Sequence, residues 1–100
     1  MIKHIVLFKI TDAGNNDDRL NKALKMKSVF EKLIEKIDVI RSYEVGINKG
    51  DSDSAHDLAI NSSFDTWNDL DEYINHPAHQ EAIRLNKNIQ KVKAVVDYEI

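Results

Sequence analysis

No cysteine occurs among the 100 residues of this chain. That absence removes a disulfide scaffold, a thiolate metal site and a cysteine nucleophile together, so the fold must stand on packing. Charge of one sign never accumulates either: the net charge is −3 without long acidic or basic runs, which argues against nucleic acid as a partner. Long apolar runs are also missing. The run around Ile5–Phe8 is far too short to span a bilayer and no small-residue cleavage site follows it, so no membrane association and a cytoplasmic location are the expectations. Proline occurs once, as Pro77 between two helical patterns. One hundred residues with 42% hydrophobic and 31% charged content suit a single globular domain spanning 1–100. Such a domain is short for both a core and a deep private cleft unless subunits associate.

What is present reads as alternating strands and helices. Ile2 to Ile10 is β-branched and aromatic without a helical period, and turn formers from Asp12 to Asn16 close it, which predicts a first strand. Ile2, His4, Val6, Phe8 and Ile10 share one face, and Lys3, Ile5, Leu7 and Lys9 the other. Between Asp17 and Asp38, Leu20, Ala23, Leu24, Val29, Phe30, Leu33, Ile34 and Ile37 recur at three and four spacings, predicting an amphipathic helix. Ile40 to Ile47 and Ala55 to Phe64 read as a strand hairpin around the loop-like Asn48–Ser54. Asp65 and Thr66 offer an N-cap to a helix ending near Asn75. Pro77 suits a first helical position, so Asn75 or His76 caps a further helix running to about Gln90. Val92 to Ile100 alternates as a fourth strand.

The resulting order, β-α-β-β-α-α-β, is the split βαβ arrangement of an α+β, ferredoxin-like fold with a four-stranded antiparallel sheet. Helices are expected on one sheet face. The other would be bare and apolar, which predicts a homodimer with the two sheets packed together.

Chemistry concentrates in Tyr73-Ile74-Asn75-His76-Pro77-Ala78-His79-Gln80, where a phenol and two of the four histidines fall within seven positions. Imidazoles titrate nearest neutrality, so such a cluster can hold both a proton donor and a proton acceptor. His79 lies one turn into its helix, where the dipole favours a neutral ring able to accept a proton. His76 precedes proline and suits a cap as well as a catalyst. His4, among Ile2, Val6 and Phe8, suits a core histidine or a pocket wall. Tyr73 joins the Leu70 and Ile74 stripe, leaving its hydroxyl to seek a partner. His76 and His79 lack a third ligand at helical spacing, so no metal is expected.

Three pieces together resemble the stress-responsive α/β-barrel family, the Dabb domain: Ile2-Lys3-His4-Ile5-Val6-Leu7-Phe8-Lys9, the Tyr73 to Gln80 segment, and Ala94-Val95-Val96-Asp97-Tyr98-Glu99. The resemblance covers essentially the whole chain and implies a dimeric ferredoxin-like barrel. Many short bacterial members have no settled activity. Plant members similar to this chain are polyketide cyclases that work without metal or cofactor. The likeness implies His79 as general base, Tyr73 as hydrogen-bond donor to an enolate, and His4 as a polarising group, with His76 in the same motif. Those cyclases carry a third-strand histidine where this chain has Leu58; His56 lies two residues earlier on the same face.

Three functions follow as expectations. The first is a cofactor-free cyclase, isomerase or lyase acting on a small keto or aromatic metabolite, with Phe8, Phe30, Leu70 and Ile83 shaping its pocket. The second is a stress-associated dimeric binding domain without turnover. The third is a haem-degrading monooxygenase, which the resemblance disfavours because His4 and Tyr73 stand where those enzymes carry asparagine and tryptophan.

Overall fold

The β-branched opening forms strand β1 (Ile2–Ile10) in the computed structural model, which describes residues 1–100. Its inward face buries Ile2, His4, Val6, Phe8 and Ile10, as the alternation predicts. Helix α1 (Asn16–Glu31) starts where the Asn15 side chain accepts a hydrogen bond from the Asp18 N–H at 2.8 Å, with Asp17 and Asp18 at the positive end of the helix dipole.

The single helix predicted over 17–38 is divided at Lys32, with a short helix α2 (Leu33–Lys36) following. The buried residues Ala23, Met26, Phe30, Leu33 and Ile37 alternate three and four apart. That period of 3.5 slips against a straight α-helix by about 20° per heptad. The tight turn at Lys32, with ψ −16°, takes up the slip and keeps Leu33 and Ile37 on the core. Leu20, Leu24 and Ile34, predicted in the apolar stripe, are more than two-fifths exposed. Leu24 follows Ala23 directly and is turned about 100° away from it.

Strands β2 (Ser42–Ile47) and β3 (Leu58–Phe64) form the hairpin, each starting later than predicted. Residues 55–57 do not extend β3 because the Asp57 carboxylate replaces a strand partner. It accepts from the Ile10 N–H at 2.7 Å, while the Asp57 N–H donates to the Phe8 carbonyl at 2.7 Å. Helix α3 (Trp67–Asn75) is capped by Thr66, whose hydroxyl accepts from the Asp69 N–H at 3.1 Å. Helix α4 (Pro77–Leu85) has Pro77 at its first position and ends before the predicted Gln90. Tight turns end it: the Asn86 N–H donates to the Ile83 carbonyl and the Ile89 N–H to the Asn86 carbonyl. Strand β4 (Lys91–Glu99) closes the chain.

The sheet order is β2-β3-β1-β4, and every neighbouring pair is antiparallel. This is the α+β ferredoxin-like topology. The core lies between the inner sheet face and the helices, with Phe8, Met26, Phe30, Ile60, Phe64 and Tyr73 among its members. The outer face carries Ile5 and Leu7 of β1 beside Val96 and Ala94 of β4. Along β4, Val92 is 56%, Val96 54% and Tyr98 44% exposed.

Candidate functional site

Register brings the chemistry together before any side chain is considered: His4 on β1 stands directly opposite Asp97 on β4 and Ser62 on β3. The His4 Nδ1–H donates to Asp97 Oδ1. That leaves Nε2 for other partners, as acceptor in the neutral ring and donor in the protonated one. His4 itself is 6% exposed.

His79 occupies the first turn of α4, and His76 is that helix's cap, its Nδ1 accepting from the Ala78 N–H at 3.0 Å. Helix α3 ends at Asn75, so its last carbonyls lack helical partners. The His79 Nδ1–H donates to one of them, the Ile74 carbonyl, at 2.9 Å, and Gln80 donates to the same oxygen at 2.8 Å. The bond settles the tautomer: Nδ1 carries the hydrogen and Nε2 the lone pair. Burial holds the His79 pKa below its ordinary 6.5; the carbonyl bond opposes this, and repulsion from His4, Lys93 and His76 in their charged forms reinforces it.

Tyr73 lies between the two imidazoles. Its ring meets His79 at 4.5 Å and His4 edge-on at 5.9 Å, centroid to centroid, and packs on Phe64 at 5.1 Å. The Tyr73 and Tyr43 hydroxyls are 2.9 Å apart. Burial pushes the Tyr73 phenol up to about 12, against the hydrogen bond from Tyr43, and burial raises Tyr43 as well. Both are therefore neutral hydroxyls in ordinary conditions, able to donate.

His4, Tyr73, His79 and Asp97 line a cavity of about 510 Å³ between the inner faces of β1 and β4 and helices α3 and α4. Phe8 and Phe30, stacked at 5.8 Å, form an apolar wall with Val6, Ile60, Ile74, Ile83, Ile89 and Val95. His4, Tyr73, His79 and Asp97 supply one set of polar groups, and Asn86, Lys87, Lys91 and Lys93 another. Six of the predicted site residues thus meet here: His4, Tyr73, His79, Phe8, Phe30 and Ile83. Leu70 and His76 are not among the cavity walls; Leu70 is packed in the core at 3% exposed and His76 is occupied as a cap. His56 sits in the loop before β3, its Nδ1 3.3 Å from the Ser54 carbonyl, and leaves the Leu58 position of the strand without an imidazole.

Asp97 and Tyr43, which pair with His4 and Tyr73, and Asn86, a wall of the cavity, were not predicted as site residues. Asp97 was legible only as sharing a strand face with Lys93 and Val95, since its pairing with His4 depends on strand register. A second concavity of about 520 Å³, between α1 and the loop after β2, is walled mainly by polar residues including Arg19, Asn48, Asp51 and Asp57, and holds no imidazole. Nowhere do three or more histidine, aspartate or glutamate side chains converge as a metal site requires.

Known proteins share this architecture along its whole length. The chain is 35% identical over 99 residues to an uncharacterised protein of Streptomyces coelicolor, covering 99% of both chains. A crystal structure from Bacteroides fragilis, described as a dimeric protein of unknown function with a ferredoxin-like fold, is 36% identical. It superposes with a TM-score of 0.85 over 99% of this chain and 95% of that one. The hydroxynitrile lyase of Passiflora edulis shares the fold at a TM-score of 0.75 and 16% identity, covering 99% of this chain and 92% of its own. The family model for the stress responsive A/B barrel domain matches residues 2–100, and the chain belongs to that family.

Proposed function

We propose that the cavity is a cofactor-free acid/base site for a small keto or aromatic carbonyl compound, of the cyclase, isomerase or lyase type. One observation carries this: the His79 Nδ1–H is spent on the Ile74 carbonyl, so a neutral ring keeps its Nε2 lone pair. In the proposed step Nε2 takes a proton from the carbon beside a carbonyl. The C–H electron pair moves into the new C=C bond as the carbonyl π pair moves onto oxygen, and that enolate oxygen accepts a hydrogen bond from Tyr73, whose ring His4 meets edge-on and orients. Asp97 holds the His4 ring in place through Nδ1. Phe8, Phe30 and Ile83 take the apolar part of the substrate. A positioned proton transfer of this kind contributes on the order of 10²–10⁴-fold.

The test is deuterium incorporation at C3 of heptane-2,4-dione, the methylene between its two carbonyls, followed by proton NMR. The native protein should accelerate exchange above buffer and His79→Ala should lose the acceleration. No acceleration by either protein would favour the second reading, a stress-associated binding domain without turnover. The contact between the Tyr43 and Tyr73 hydroxyls supports that alternative, since it gives the buried phenol oxygen a partner without a ligand.

The chain is further proposed to form a homodimer through its outer sheet face. Exposed Val92, Val96 and Tyr98, beside Ile5 and Leu7, make an apolar surface that a second copy would cover. The dimeric description of the Bacteroides fragilis relative, 36% identical, supports this assembly.

A further inference from the structure

Asn86 is 1% exposed, and neither its side-chain oxygen nor its side-chain nitrogen meets a hydrogen-bond partner in the protein. Buried amides are nearly always paired, and leaving both ends unmatched costs the full desolvation of each. The residue also lines the cavity that holds His79. A second, independent feature adjoins it. The Lys91 ammonium donates to the Asn86 and Ile89 carbonyls, each at 2.9 Å, which uses two of its three N–H donors. Lys87 and Lys93 line the same cavity, and Asp97, already engaged by His4, is the only acid among its walls. A chain with a net charge of −3 thus lines with three lysines the cavity that also holds one unpartnered amide.

We infer, building on the proposal that this cavity receives a carbonyl compound, that Asn86 with Lys91 and Lys93 anchors a carboxylate on the ligand. The Asn86 side-chain N–H and the remaining Lys91 N–H donate to the carboxylate oxygens, and Lys93 adds attraction at the rim. The Asn86 side-chain oxygen stays free to accept from a hydroxyl or enol on the same ligand. Position sets the spacing. Asn86 follows His79 by seven residues, two helical turns and about 10 Å along the axis. A ligand reaching both carries its carboxylate several bonds from the carbon that faces His79. The preferred class is thus a keto acid with separated carbonyl and carboxylate, rather than a neutral ketone or a short β-keto acid.

Calorimetric titration with two matched probes tests this: 4,6-dioxoheptanoate, which has a carboxylate four bonds from its central acidic carbon, and neutral heptane-2,4-dione. The native protein should bind the acid at least about tenfold more tightly, the equivalent of one charge-assisted hydrogen bond. Asn86→Asp, nearly equal in shape but negatively charged, should abolish that preference by weakening the acid far more than the dione. Lys93→Glu, an exposed change that spares the core, should weaken only the acid, severalfold. Equal affinity for both probes, no binding of the acid, or an unchanged preference in Asn86→Asp or Lys93→Glu would overturn the inference. Binding is read without turnover. An acid that binds as predicted but whose exchange His79→Ala does not slow would sink the acid/base reading and leave the anchor standing.

Discussion

At His79 three effects meet on one ring: burial, a carbonyl acceptor, and neighbouring positive charge. Burial is the largest, and it keeps the neutral form favoured below the pH at which a free imidazole would charge. The same shift ties stability to pH. A histidine whose folded pKa lies below its unfolded 6.5 contributes stability that is present above pH 6.5 and lost as pH falls through the folded value. Partial exposure of the ring discounts the size of the effect, not its sign. Urea midpoints measured on both sides of that window should therefore differ more in the native protein than in His79→Gln. An equal difference in both would show that burial of this ring is not what couples it to pH. Tyr73 complements the base at this scale: its raised phenol pKa, about 12, keeps the hydroxyl a donor across the pH range where His79 is neutral.

Among the elements, the junction of α3 and α4 does the positioning. Thr66 starts α3, and His76 both ends it, its N–H donating to the Tyr73 carbonyl, and starts α4 through Nδ1. Replacing the cap with alanine should cost about 1 kcal/mol, whereas His76→Asn, a strong cap residue, should retain most of the stability. Thermal or urea unfolding of the two variants measures this; equal loss in both would mean that His76 acts by something other than capping. This junction was legible in the sequence because Pro77, Thr66 and the histidine spacing are local signals. Strand β1 was equally legible, its alternation running unbroken from Ile2 to Ile10. The break at Lys32 was not, since it answers the packing of Leu33 and Ile37 on a sheet that no local pattern describes. The late start of β3 has no local signal either, because a long-range carboxylate, Asp57, occupies the ladder position. The contacts of Asp97 with His4 and of Tyr43 with Tyr73 depend on register between strands far apart in sequence, and are invisible to periodicity for the same reason.

For the whole molecule, the sheet divides two roles. Its inner face carries the cavity, and its outer face, with Ile5, Leu7, Val96 and Tyr98, presents the apolar surface proposed to join two copies. Sedimentation equilibrium should find a dimer at micromolar concentration, and Val96→Lys, which places a charge on that exposed face, should shift it to monomer. A native chain that sediments as monomer would remove the interface. The cavity residues of β1 and β4 point to the inner face, away from that surface, so Val96→Lys should retain ligand binding. Whether His79 acts as a base is tested most directly by the rate of deuterium exchange into heptane-2,4-dione as a function of pH. The predicted profile rises with pH to a half-maximum below 6.5, levels off above it, and falls to the buffer rate throughout in His79→Ala. Exchange no faster than buffer, or the same profile in the variant, would contradict it.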